Sequence, residues 1–217
     1  MKRYKAVIFD WDGTVMDSTA CIAGAIQSAC VDLALPVPSD EEASWVIGLS
    51  LDRALQRCAP TLPAERIPEF TERYRHHFFQ RDQSLTMFEG VVPMFDDLKS
   101  RNARLGVATG KSRLGLDRVL QAQQLADRFD YTRCADEAQG KPHPAMLFDI
   151  MERLQLEPEE VVMVGDTTHD IQMAASAGVD SMAVTYGAHS ERTLAVSEPT
   201  VMVSSVREMH GWLVERL

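Results

Sequence analysis

The stretch Ala6-Val7-Ile8-Phe9-Asp10-Trp11-Asp12-Gly13-Thr14 decides the fold. Its four consecutive apolar residues read as a short strand buried on both faces, and the strand runs straight into two carboxylates two positions apart. Gly13 follows them and can turn the chain. In an open α/β sheet, ligands bind outside the carboxyl ends of the strands, where Asp10 and Asp12 would stand. Extended spacing would put both side chains on one face, where like charges raise the pKa of one of them. One ionised and one protonatable carboxylate suit a nucleophile with a general acid. The same pattern also serves a strand-terminal Asx-turn.

Five further apolar runs follow the first: Leu105–Ala108, Tyr131–Cys134, Val161–Val164, Met182–Thr185 and Val201–Val203. From the second run onward they alternate with helical spacings such as Met146/Leu147/Ile150/Met151/Leu154 and Ile171/Met173/Ala174/Ala177. Apolar strands alternating with helices predict a doubly wound parallel α/β sheet. Residues 17–86 break the rhythm, with helical stretches at Ile22–Leu35, Glu41–Cys58 and Ala64–Phe79 and breaks at Pro36, Pro38, Pro60 and Pro63. Ser39 and Glu42 have the spacing of a capping box. The simplest architecture is an α/β core of residues 1–16 and 87–217 with an all-helical insert, 17–86, after the first strand.

Composition bounds the partners. Of 217 residues, 22 are Lys or Arg and 32 are Asp or Glu, a net charge of −10. Such a chain repels nucleic-acid phosphates over a Debye length of about 8 Å, and it carries no Lys/Arg run to make a local exception. An anionic ligand would need a few focused cations or a metal. Cys21, Cys30, Cys58 and Cys134 are scattered without zinc spacing and read as free, buried thiols of a reducing compartment. No stretch approaches the ~18 apolar residues of a membrane span. Behind the basic Met1–Lys5, the apolar stretch Ala6–Phe9 is too short for a signal peptide, so the expectation is a cytoplasmic protein without a membrane partner.

Three more constellations fall at strand ends. In Val107-Ala108-Thr109-Gly110-Lys111, a hydroxyl and a permissive glycine precede a helix, so Thr109 and the backbone at Gly110 can hold phosphate oxygens, or Thr109 can cap the helix. Lys141, in Gly140-Lys141-Pro142-His143-Pro144, sits in a loop stiffened by two prolines, which makes its position reproducible. In Gly165-Asp166-Thr167-Thr168-His169-Asp170, two acids stand four apart across a helix start. Oxygen-only clusters of this kind suit Mg²⁺; alternatively Asp166 caps the helix and Asp170 complements its dipole. His169 is expected on the surface. Together these residues supply what phosphoryl transfer to an aspartate requires.

Asp10-Trp11-Asp12-Gly13-Thr14, Thr109, Lys141-Pro142 and Gly165-Asp166 with Asp170 resemble, in order and spacing, the four signatures of the haloacid dehalogenase superfamily. The closest resemblance is to its phosphoglycolate phosphatase-like group, with a Rossmann-like core and a small helical cap. The resemblance implies Asp10 as nucleophile, and Asp12 as general acid and base that also offers Mg²⁺ its backbone carbonyl. It implies Thr109, Gly110 and Lys141 as phosphoryl-binding residues, Asp10, Asp12 and Asp166 as metal ligands, and Asp170 as their support. It further implies a small phosphorylated metabolite as substrate, with 2-phosphoglycolate the named candidate, and a monomer or homodimer. Gly110 stands where the family often has Asn. In mutase relatives an arginine follows the glycine of the cap loop closely, whereas Leu51 stands near that point of Gly48-Leu49-Ser50-Leu51-Asp52-Arg53, which disfavours a sugar-phosphate mutase. A catalytically idle binding module is the other alternative; it has no need to retain both Asp10 and Asp12. Arg53, Arg57, Arg75, His76 and His77 are the insert's candidate contacts for a leaving group, or simply a solvated helix face.

Overall fold

The structure, a computed structural model, describes residues 4–81 and 85–217. The portions of the expected core and insert at 1–3 and 82–84, including the basic Met1-Lys2-Arg3, lie outside the described residues. Strands β1 (Ala6–Phe9), β2 (Arg104–Thr109), β3 (Tyr131–Cys134), β4 (Val161–Gly165), β5 (Asp180–Val184) and β6 (Val201–Val203) form one parallel sheet in the order β3-β2-β1-β4-β5-β6. After β3 the chain crosses back to the other side of β1, so the topological switch point lies between β1 and β4. There Phe9 pairs with Val164, which brings Asp10 and Asp166 together beyond the strand ends.

Alternation along β1 explains both layers of helices. Val7 and Phe9 pack with Phe95 and Leu98 of α5 (Val91–Ser100), Leu116 of α6 (Arg113–Ala122), and Met209 and Leu213 of α10 (Val206–Val214). Ala6 and Ile8 face Met146 and Ile150 of α7 (Ala145–Leu154) and Met173 and Ala174 of α8 (Thr168–Ala177). A short α9 (Glu191–Ala195) adds Leu194 against Ile171 and Ala183.

Among the described residues between β1 and α5 lie four α-helices: α1 (Thr19–Asp32), α2 (Asp40–Trp45), α3 (Leu51–Cys58) and α4 (Ile67–Arg81). They share an apolar cluster of their own that includes Ile22, Ile26, Val46, Leu55, Phe70 and Phe78. The two connections run side by side, with Asp17 N–H donating to Thr86 O (3.0 Å) and Phe88 N–H to Val15 O (3.1 Å). Ser39 and Glu42 form the expected capping box. The single helix expected over Glu41–Cys58 is instead two, because Gly48 takes φ +87, which no helix accommodates. No helix among the described residues is long and apolar enough to cross a membrane.

Candidate active site

The turn after β1 is built to aim two carboxylates. Asp10 N–H donates to Val164 O (2.8 Å), extending the ladder by one residue, and the Trp11 carbonyl accepts from the N–H groups of Val15 and Met16 (2.9 Å each). The Trp11 ring is fully buried against Phe129, which anchors the turn from behind. Gly13 has φ +80, and a Cβ there would lie 2.1 Å from Asp166 Oδ2, so both its backbone and the approach of Asp166 require glycine.

Carboxylate oxygens of Asp10, Asp166 and Asp170 lie within 4.8 Å of one another, and all three residues are buried. Lys141, 0% exposed, places its Nζ 2.7 Å from Asp10 Oδ1 and 2.7 Å from Asp170 Oδ1. Fully ionised, the three acids and one ammonium carry a net charge of −2. Burial pushes the Asp10 carboxyl well above the usual range, with Asp170 and Asp166 adding to that and Lys141 opposing it. Burial and the neighbouring Asp170 push Asp166 up to about 7, against the bonds it accepts from Ala188 N–H (2.7 Å) and the Thr14 hydroxyl (2.9 Å). Burial alone would lower the Lys141 ammonium, but Asp10 and Asp170 outweigh it and hold the lysine charged.

This donor set fits a hard divalent cation. It is oxygen-only and buried with excess negative charge, and Asp10 Oδ2 has no hydrogen-bond partner among the described residues. Asp10 and Asp166 are the residues of this cluster that would hold it, with Asp170, whose oxygens meet Lys141 and Thr167, beside them. Asp170 is fixed by a second capping box: its Oδ2 accepts from the Thr167 hydroxyl (2.6 Å) and Thr167 N–H (3.1 Å). Thr167, not Asp166, is therefore the cap of α8, which leaves Asp166 to the site.

The Asp12 carboxylate is not part of this cluster. It accepts from the Ser18 hydroxyl (2.6 Å) and pairs with Lys111 Nζ (3.0 Å), beside a cavity of about 340 Å³ between the helical insert and the sheet. Local sequence does not single out Lys111 as a site residue; its position directly after Thr109-Gly110 is the signal that points to it. Thr109 is fully buried at the end of β2; its hydroxyl accepts from Lys111 N–H (3.2 Å), which leaves the hydroxyl's own proton to donate. Ser112, not Thr109, caps α6. Gly110 lies under the insert: a Cβ there would be 2.5 Å from Gly48 O and 2.7 Å from Leu49 O. The absence of a side chain at this position is what lets the Gly48 loop approach Asp10, whose Oδ2 is 3.6 Å from a Cβ built on Gly48.

The surface expectation for His169 is overturned. His169 is 2% exposed, and its Nε2 lies 2.9 Å from Trp45 O, the carbonyl that also meets His189 Nε2 at 3.0 Å. Burial lowers His169 to about 4 and lowers His189 as well, so both rings are neutral and each donates its Nε2 proton to the carbonyl. His189 Nδ1 in turn accepts from Thr168 N–H (3.0 Å). Two core histidines thus hold the end of α2. Of the insert's cations, Arg53 donates from α3 to Lys141 O (3.3 Å), Arg57 lies over the Trp45 ring, and His77 pairs with Asp32; Arg75 and His76 are exposed.

A family model described as haloacid dehalogenase-like hydrolase matches residues 7–184. A protein of Dickeya dadantii (strain 3937) named probable phosphatase IndB is 37% identical over 212 residues, covering 94% of this chain and 91% of the relative. The phosphoglycolate phosphatase of Salmonella typhimurium (strain LT2) is 29% identical over 232 residues, covering 96% of this chain and 92% of that one. The crystal structure of a hydrolase from Pseudomonas syringae superposes with a TM-score of 0.88 at 18% identity, covering 97% of this chain and 98% of that one, and so shares the fold.

Proposed function

The chain belongs to the haloacid dehalogenase-like hydrolase family, and on that premise we propose that it is a Mg²⁺-dependent phosphomonoesterase acting on a small phosphorylated metabolite through an aspartyl-phosphate. One observation carries the reading: a buried carboxylate, Asp10, has one oxygen paired to Lys141 and the other without a hydrogen-bond partner among the described residues, inside a buried acidic cluster.

Asp10 attacks the phosphorus while the bond to the leaving oxygen breaks, and Asp12 gives that oxygen its proton. Asp12 then takes a proton from a water whose oxygen attacks the same phosphorus, which frees Asp10 and inorganic phosphate. Thr109 and Lys141 hold the phosphoryl oxygens, the ammonium offsetting their charge in a dry site. Asp10 and Asp166, with the Asp12 carbonyl, would hold Mg²⁺, which would supply further charge neutralisation, and Asp170 keeps Lys141 in place. The insert, 17–86, acts as a cap that excludes water.

The names of relatives make 2-phosphoglycolate the first natural ester to assay. The test is phosphate release from an aryl phosphate with Mg²⁺ and with EDTA, in the wild type and in Asp10→Asn. Release that needs both Mg²⁺ and Asp10 is the expected result; an active Asp10→Asn enzyme overturns the assignment.

A further inference from the structure

We propose that the ester hydrolysed here carries a sizeable apolar leaving group, seated in the cavity beside Asp12, and that 2-phosphoglycolate is a poor substrate. The inference rests on the phosphomonoesterase reading for its chemistry but on the cavity for its substrate class.

The fully enclosed Asp10, Lys141 and Asp166 do not line the cavity, whereas Asp12 does, so the space lies on the leaving-group side of the reaction. Its volume, about 340 Å³, has room for roughly ten waters at about 30 Å³ each, far more than a two-carbon acid fills. Ile22 and Ile26 of α1, Leu49 of the Gly48 loop, and Tyr74 and Phe78 of α4 make an apolar and aromatic wall. The lining's charged groups, three basic and three acidic, offer a carboxylate no net positive charge. Lys111 is already paired with Asp12 and Arg118 lies over the Phe79 ring, while the exposed Arg75 stands against the two further acids of the lining, Asp52 and Asp136. A glycolate body would leave most of the apolar surface wet, whereas a ring or alkyl body would cover that surface.

The experiment compares kcat/KM for ethyl phosphate, benzyl phosphate and 2-phosphoglycolate, with binding of methylphosphonate and benzylphosphonate to the Mg²⁺-loaded protein as a readout independent of turnover. Benzyl phosphate should exceed both other esters by at least about tenfold, the scale of burying one aromatic ring. Leu49→Asn, a change at a half-buried loop position, should reduce the benzyl-to-ethyl ratio at least threefold. Hydrolysis with equal kcat/KM across the series, with 2-phosphoglycolate ahead, or with a ratio unmoved by Leu49→Asn overturns the proposal and leaves the phosphomonoesterase reading standing. If no ester is hydrolysed, tenfold tighter binding of benzylphosphonate upholds the cavity's preference while the hydrolytic reading fails, and equal binding overturns both.

Discussion

Replacing Lys141 by Met removes the ammonium that lies 2.7 Å from both Asp10 and Asp170 and puts an apolar chain of similar length in its place. Two buried carboxylates then face each other without their cation. Breaking a buried pair in this way costs about 3–5 kcal/mol, which for a chain of this size is a fall in Tm of roughly 6–20 °C. Protonation limits the loss. Burial already raises the Asp10 carboxyl, and without Lys141 opposing it the rise is larger. A carboxyl whose folded pKa exceeds its unfolded value binds more protons in the native state, so it contributes stability at low pH that is lost as pH rises through the folded pKa. The gap between wild type and Lys141→Met should therefore shrink on acidification from pH 8 to 6, by up to about 1.4 kcal/mol per pH unit. Urea denaturation in EDTA at pH 6, 7 and 8 measures it. A loss under about 1 kcal/mol at pH 8, or a gap that widens on acidification, refutes the electrostatic reasoning.

Asp166→Asn should stabilise the metal-free protein at pH 8 by about 1–3 kcal/mol, since it removes a charge from a site that pushes the acid to about 7 while losing one hydrogen bond. That advantage should fade as pH falls from about 7 toward 4 and narrow when Mg²⁺ is added; thermal melts at pH 8 and pH 5 with and without Mg²⁺ decide it, and a destabilised variant counts against a charge-strained Asp166. Gly110→Ala should lower kcat/KM for an aryl phosphate at least tenfold while unfolding free energy moves by no more than about 1 kcal/mol, because the Cβ collides with backbone of the Gly48 loop and not with the sheet. Unchanged kinetics contradict the close approach. Burial holds the Cys58 thiol up at about 11 and the Cys134 thiol at about 12, roughly a hundred- and a thousandfold less thiolate at pH 8 than an ordinary thiol gives. Iodoacetamide should label all four cysteines in urea and neither of these two in the native protein; rapid native labelling of either overturns their burial.

The sheet was legible because its strands are short and, apart from the edge strand β3 with Thr132 and Arg133, carry nearly continuous apolar runs, and a sheet covered on both faces demands that pattern. Asp10, Lys141, Asp166 and Asp170 were legible for a related reason: residues at strand carboxyl ends must converge wherever such a sheet forms, and the four do converge. What stayed hidden depends on contacts between distant segments. His169, flanked by acids in sequence, looks exposed until α8 and the end of α2 meet around the Trp45 carbonyl. Gly110 reads as a permissive turn residue, yet the structure gives it a steric role against Gly48, 62 positions earlier in the 217-residue chain. The break of the expected Glu41–Cys58 helix at Gly48 has the same origin, since that loop is shaped by its approach to the site. Lys111 was overshadowed by Thr109 because nothing in local sequence shows an ion pair with Asp12.

The most direct test of the central claim is acid-quench trapping of the enzyme during turnover of an aryl phosphate with Mg²⁺, followed by mass spectrometry of the proteolytic fragments. The account predicts one phosphoryl group on the fragment carrying Asp10, removable by hydroxylamine as an acyl phosphate is, and absent from Asp10→Asn. A phosphoryl group on any other residue, or steady phosphate release with an unmodified Asp10 fragment at every quench time, would contradict it.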